Sequence, residues 1–102
     1  MDVDISPVHF NTLASILAQQ VPDCEVRAFG SRVKGTARKY SDLDLVVVGK
    51  GPLDLSRYSK LTTALEESSL PFNVDVLDWH SIPETFRQGI ERQYIVLQQT
   101  GM

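Results

Sequence analysis

Cysteine is nearly missing from this chain of 102 residues. Cys24 stands alone, which excludes an intrachain disulfide and any cysteine-ligated metal cluster. No apolar run is long enough to cross a bilayer, and there is no repeat, low-complexity segment or long linker. The opening residues Met1-Asp2-Val3-Asp4 are acidic, the wrong sign for an export signal, so a cytoplasmic location is the expectation. Positive charge is in the minority, with 10 Lys and Arg against 13 Asp and Glu and a net charge of -3. That balance argues against general nucleic-acid binding, which calls for a basic face. With 42% hydrophobic and 23% charged residues, residues 1–102 read as one ordinary globular domain. A domain this small has little room for a deep enclosed cavity. A large substrate must lie across its surface or be shared with another chain.

What is present is concentrated in one stretch. Gly30-Ser31 is followed, ten residues later, by Asp42-Leu43-Asp44. Successive side chains of a strand alternate between its faces. Asp42 and Asp44 therefore share one face of the strand that begins here, and Leu43, Leu45 and Val47 share the other. Two adjacent carboxylates repel each other unless a cation lies between them. Mg²⁺ takes carboxylate oxygen and keeps positions for substrate phosphates. Five of the ten basic residues, Arg27, Arg32, Lys34, Arg38 and Lys39, flank the glycine turn with no acid among them. They form either positive charge for phosphate or an ordinary solvated loop.

The pattern predicts alternating helices and strands. Ser6 suits an N-cap and Pro7 a first helical position. Phe10, Leu13, Ala14 and Leu17 then recur at helical spacing, with Ile16 and Val21 widening the stripe, until Pro22-Asp23. Glu25 to Phe29 reads as a strand broken by Gly30-Ser31, and residues 31 to 37 as a turn or short helix stopped by Gly35. Leu43 to Val48 is a strand with a β-branched run. After the loop Gly49-Lys50-Gly51-Pro52, Leu55, Tyr58, Leu61, Thr62 and Leu65 mark a second amphipathic helix, closed by Ser68-Ser69 and Pro71. Asn73 to Leu77 is the next strand. Ser81 and Glu84 have the spacing of a capping box for a last helix with Phe86 and Ile90 inward, and Tyr94 to Leu97 closes as a strand. This order predicts a small α/β sheet with helices mainly on one face.

Asp75 completes the chemistry. An acid inside the apolar strand Asn73–Leu77 is costly to bury unless paired or coordinated. If that strand lies beside Leu43–Val48, Asp75 faces the same site. Three carboxylates on adjacent strands suit two Mg²⁺ about 3.5–4 Å apart, as in-line phosphoryl displacement uses. Asp42 and Asp44 would bridge both ions. Asp75 would hold the ion on the nucleophile side and is a candidate acceptor of the nucleophile's proton. Gly30 lets the backbone approach phosphate, and Ser31 adds its hydroxyl and N–H at a helix start. Asp78 competes for the third-carboxylate role, but alternation turns it to the opposite face.

Taken together, Phe29-Gly30-Ser31-Arg32, Ser41-Asp42-Leu43-Asp44-Leu45 and the later Asp75 resemble the polymerase-β-type nucleotidyltransferase superfamily. The minimal nucleotidyltransferase (MNT) branch is the nearest in pattern. Asp78-Trp79, Phe86, Ile90-Glu91-Arg92 and Tyr94 to Leu97 resemble the same branch less specifically. The resemblance implies an α/β (α+β) fold with a small mixed sheet. It implies ATP or another NTP with Mg²⁺ as cofactor, and transfer of a nucleoside monophosphate to a hydroxyl. The motif positions Asp42, Asp44 and Asp75 carry over as catalytic and metal-binding residues, and Gly30 and Ser31, with Arg32, as phosphate-binding ones. Many MNT proteins pair with a small helical HEPN-type protein, and in pairs of this kind the MNT protein is an antitoxin that adenylylates a tyrosine of the HEPN RNase. Other superfamily members modify small molecules such as aminoglycosides.

The expected activity is thus Mg²⁺-dependent transfer of AMP from ATP to a hydroxyl on a HEPN-type partner in a hetero-oligomer. Two alternatives stay open: a module that neutralises its partner by occlusion, and the catalytic half of a small-molecule nucleotidyltransferase completed by a helical partner. His9 and His80 read as structural side chains, Cys24 as inert, and Trp79 and Tyr94 as core more than interface.

Overall fold

The chain is described here from a computed structural model covering residues 3–38 and 41–100. Lys39 of the basic stretch lies outside the described residues. Helix α1 spans Pro7–Gln20. The Ser6 side chain accepts a hydrogen bond from the His9 backbone N–H, with Pro7 at the first position, so the helix starts where the sequence places it. Strand β1 is Glu25–Phe29 and the one-turn helix α2 is Ser31–Lys34. Gly35 ends α2 in the left-handed conformation, φ 79°, the usual role of a glycine just past a helix. Strand β2 is Leu43–Val48, helix α3 Leu55–Glu66 and strand β3 Val74–Asp78. A 3₁₀ turn follows at Trp79–Ser81, then helix α4, Glu84–Arg92, and strand β4, Ile95–Gln98.

The four strands form one mixed sheet in the order β3-β2-β1-β4. β1 runs antiparallel to β2 and to β4. β2 and β3 are parallel, so the chain between them must cross over the sheet, and α3 is that crossover. Leu13 and Leu17 of α1 and Leu61 and Leu65 of α3 pack with Val26, Ala28, Leu43, Leu45, Val47 and Val76 in one buried cluster. The alternation of β2 is thereby realised: Leu43, Leu45 and Val47 enter the core and Asp44 takes the other face. The Tyr58 hydroxyl donates to the Val76 carbonyl at 3.1 Å and ties the crossover helix to β3.

Several expectations give way to local competition. The capping box at Ser81 and Glu84 does not form: Pro83 is the N-cap of α4 and no side chain caps it. Ser81 lies instead in the 3₁₀ turn, its hydroxyl donating to Asp78 at 3.2 Å. Asp78 also accepts from the His80 N–H at 3.1 Å and the Leu53 N–H at 2.9 Å. A carboxylate offering a charged acceptor to Ser81 holds the turn that the capping box would have opened. Phe86 is 45% exposed, not inward, although Ile90 is buried. Leu55, at the first position of α3, is also exposed rather than part of the buried stripe. Strands β3 and β4 each begin and end one residue later than expected.

Candidate active site

Asp44 and Asp75 are register partners on β2 and β3, and Phe29 is the partner of Asp44 on β1. Partners across a sheet project from the same face, so the two carboxylates stand side by side with the end of β1 next to them. Burial first, then the negative charges of Asp75 and Asp42, push the Asp44 carboxyl above its ordinary value. Asp44 thus feels both of the other acids.

Gly30 lies under this group. Its φ of 82° is the conformation that favours glycine, and a Cβ there would run into the Asp44 carboxylate. The Gly30 carbonyl accepts from the Val33 and Lys34 N–H groups, both at 3.0 Å, which closes α2 against the turn. Ser31 is the first residue of α2. The sequence motif is therefore one contiguous feature: turn, helix start and carboxylate meet at the end of β1.

Asp42 is exposed and precedes β2. It is held from both sides. The Leu43 N–H donates to the Asn73 carbonyl at 2.9 Å. The Ser41 carbonyl accepts from Arg32 Nε at 3.0 Å and from Arg32 Nη2 at 2.8 Å. Arg32 also donates through Nη1 to the Asp4 carbonyl at 2.8 Å and stacks on Phe72, 4.2 Å from the ring centre. It is only 6% exposed. Its guanidinium clamps the loop that carries Asp42.

The basic stretch disperses in the same way. Arg27 pairs with Glu25 and lies between Trp79 and Tyr94, 5.0 and 4.5 Å from their ring centres. Lys34 remains exposed beside Gly30. Asp78 is on the opposite face from Asp75, as alternation requires, and is occupied as the cap of the 3₁₀ turn. His80 contacts the Gly49 carbonyl at 2.7 Å and His9 the Ser6 hydroxyl at 2.9 Å, both structural contacts. Cys24 is buried, and burial pushes its thiol up.

Two open grooves meet the site at Phe29. One, of about 590 Å³, contains Asp44, Asp75, Thr62 and Glu66. The other, of about 340 Å³, contains Gly30, Lys34 and Gly89. Phe29 and Phe86 line both and meet edge to face, with ring centres 6.1 Å apart. The sequence reading overlooked these grooves. Their one visible signal was Gly89, a glycine inside a helix.

Among the described residues, no three His, Cys, Asp or Glu side chains gather into a group that could hold a metal ion as it stands. The acids form a facing pair, Asp44 and Asp75, with Asp42 on the adjoining turn. Their all-carboxylate oxygen chemistry is that of a hard divalent cation completed by substrate phosphates, and the mutual repulsion at Asp44 is what such a cation relieves.

Comparison with known proteins identifies the family. Residues 11–100 match the model of the family described as polymerase beta, nucleotidyltransferase. The chain belongs to this nucleotidyltransferase family. It is 47% identical over 97 residues to the probable protein adenylyltransferase MntA of Haemophilus influenzae, covering 95% of this chain and 85% of that protein. Its fold matches a crystal structure of a toxin-antitoxin with AMP-PNP at a TM-score of 0.75 and 28% identity, over 90% of this chain and 74% of the other. A structure of a tri-AMPylated Shewanella oneidensis HEPN toxin in complex with MNT antitoxin matches at a TM-score of 0.68 and 26% identity, over 91% and 71% of the two chains. Among the described residues, no helix is long and apolar enough to cross a membrane.

Proposed function

We propose that this chain is a protein adenylyltransferase that moves AMP from ATP to a hydroxyl of a HEPN-type helical partner, acting as its antitoxin. The observation that carries the chemistry is the register pairing of Asp75 with Asp44, whose carboxylate lies against Gly30. The acceptor assignment is supported by the likeness to a relative named for protein adenylylation and to an AMPylated toxin complex.

In this reading the triphosphate lies along the Gly30-Ser31 turn, where the absence of a side chain at position 30 leaves room for the Asp44 carboxylate. Asp42, Asp44 and Asp75 would hold Mg²⁺, which supplies Lewis-acid stabilisation of the phosphates and lowers the pKa of the attacking hydroxyl. Asp75, exposed at the edge strand β3, accepts the hydroxyl proton. The acceptor oxygen forms a bond to the α-phosphorus as the bond to pyrophosphate breaks. Arg32 acts at one remove by fixing the Ser41 carbonyl, and with it the direction of Asp42. The groove containing Thr62, Glu66 and Asp75 lies on the nucleophile side and receives the partner's segment.

The test is transfer of labelled AMP to the purified partner by the wild type and by Asp42→Asn/Asp44→Asn. Labelling by the wild type alone supports the reading. Equal labelling by both removes the carboxylate mechanism, and full neutralisation of the partner by the double variant favours occlusion.

A further inference from the structure

Strand β3 is an outer strand of the sheet, and its free edge has no role so far. Alternate residues of an outer strand turn their main-chain groups to the one neighbour, and the rest turn theirs away. The Leu43 N–H donates to the Asn73 carbonyl at 2.9 Å. Asn73, Asp75 and Leu77 therefore face β2, and Val74 and Val76 present their N–H and C=O groups outward. The Tyr58 hydroxyl, 3.1 Å from the Val76 carbonyl, marks that outward direction. Among the described residues no other group satisfies the outer row at Val74 and Val76. Such an edge is a template for a further strand, and proteins blunt it with bulges, proline or lysine. β3 has none of these: its sequence is VDVLD, and its register with β2 runs unbroken from Val74 to Asp78.

The cavities follow the same edge. The groove of about 590 Å³ runs along residues 74–77. A second, of about 500 Å³, continues it back along residues 70–75, and Glu66, Val74 and Asp75 belong to both. Among the described residues neither is lined by Lys or Arg. Glu66 is exposed at the end of α3, the helix packed on the core face of the sheet, and Asp75 is exposed on the opposite face. A segment lying in the groove meets negative charge on both sides.

We infer that the acceptor enters as an added strand on β3: an extended, basic segment of the partner pairs with the main chain of Val74 and Val76, and its hydroxyl-bearing residue stands opposite Asp75. The inference rests on the reading of this chain as a transferase to a protein hydroxyl, and it says how that acceptor is held. Residues opposed across a sheet project from the same face, so one register brings the hydroxyl to the Asp75 carboxylate. The residues on either side of it turn to the other face, towards Glu66, where Lys or Arg fits. Main-chain pairing supplies affinity for any extended segment, and the alternating side chains supply the selection.

The test is labelling of the purified partner with AMP over a range of partner concentrations. Val74→Pro removes an outward N–H and leaves the bonds to β2 in place, since proline is accepted at the first residue of an edge strand. It is expected to raise KM for the partner about tenfold or more, with kcat nearly kept. Glu66→Lys is expected to raise KM about fivefold or more. Glu67→Lys, the same charge change at an exposed position outside the groove, leaves it unchanged. Melts and titration with tripolyphosphate check that each variant is folded with its donor side intact, and where Val74→Pro does not fold, Glu66→Lys decides. Mass spectrometry of the labelled partner is expected to place AMP on a residue with Lys or Arg at an adjacent position. A wild-type KM in both Val74→Pro and Glu66→Lys, or AMP on a hydroxyl with no basic neighbour, would overturn the added strand and leave the transferase reading standing. A wild type that does not label the partner would overturn that reading and the inference with it.

Discussion

The carboxylate of Asp44 occupies the space that a side chain at position 30 would need: a Cβ on Gly30 would collide with its Oδ2 and lie 3.1 Å from its Cγ. Gly30→Ala therefore does two things. It forces a φ of 82° with a ψ of -157°, a combination essentially confined to glycine, on a residue with a Cβ, a penalty of about 1–3 kcal/mol, and it pushes Asp44 from its register position. The expected result is a lower melting temperature and a loss of nucleotidyl transfer of about 100-fold or more, since misplacement by an ångström is enough for that. Parallel melts and rates check it. A variant that is destabilised yet fully active would show that Asp44 does not depend on this contact.

Asp44 should also make the metal-free protein sensitive to pH. Its folded-state value is raised, by burial first and by Asp75 and Asp42 next, so the ionised form is penalised in the fold relative to the unfolded chain. The penalty is fully present above the raised value. It is relieved as pH falls through that value towards the ordinary 3.8, below which Asp44 is protonated in both states. Asp44→Asn removes the penalty and should raise the metal-free melting temperature at neutral pH while abolishing transfer. Mg²⁺ should stabilise the wild type and not the variant. Melts across pH, with and without Mg²⁺, measure both effects.

Asp75 and Asp78, three residues apart, should separate cleanly. Asp78→Ala removes the acceptor for the N–H groups of Leu53 and His80 and for the Ser81 hydroxyl. A loss of about 1–2 kcal/mol is expected, with kcat little changed at a temperature where the variant is folded. Asp75→Asn should leave stability within about 0.5 kcal/mol and lower kcat by about 100-fold or more. Chemical denaturation and steady-state rates on the two variants decide the matter, and the reverse pattern would exchange their roles.

Arg32→Ala should destabilise the fold by about 2–3 kcal/mol, because it strips charged donors from the Ser41 and Asp4 carbonyls. If Arg32 acts by aiming Asp42, transfer falls while the affinity for tripolyphosphate holds. A direct phosphate contact would instead lower that affinity. Titration with tripolyphosphate distinguishes the two.

Much of this arrangement is written in local pattern. β1 and β2 have the expected bounds because Gly30 stops the first, and the β-branched run Val46-Val47-Val48 followed by Gly49 fixes the second. The pairing of Asp44 with Asp75 is legible because strands joined by a crossover helix run parallel and put their first residues at the same end of the sheet. The clamp made by Arg32 was not legible, since only the folded chain brings the Ser41 and Asp4 carbonyls to it. The capping box failed for a similar reason, since Asp78 captures Ser81 through a turn that spacing alone does not reveal. Phe86 was assigned inward by periodicity, which places a side chain on a helix face but cannot say whether the sheet extends far enough to cover it.

The parallel pairing of β2 with β3 has a further consequence for how activity arises during synthesis. Asp44 and Asp75 become neighbours only when the intervening segment has closed over the sheet, an event that needs the contacts of Leu61, Leu65 and Tyr58 and the closure of a long loop. A nascent chain that ends before β3 contains the glycine turn and two of the acids, yet lacks Asp75. Lesions far from the acids that loosen the crossover, such as Leu61→Ala, should therefore look catalytic in an activity assay while being defects of assembly.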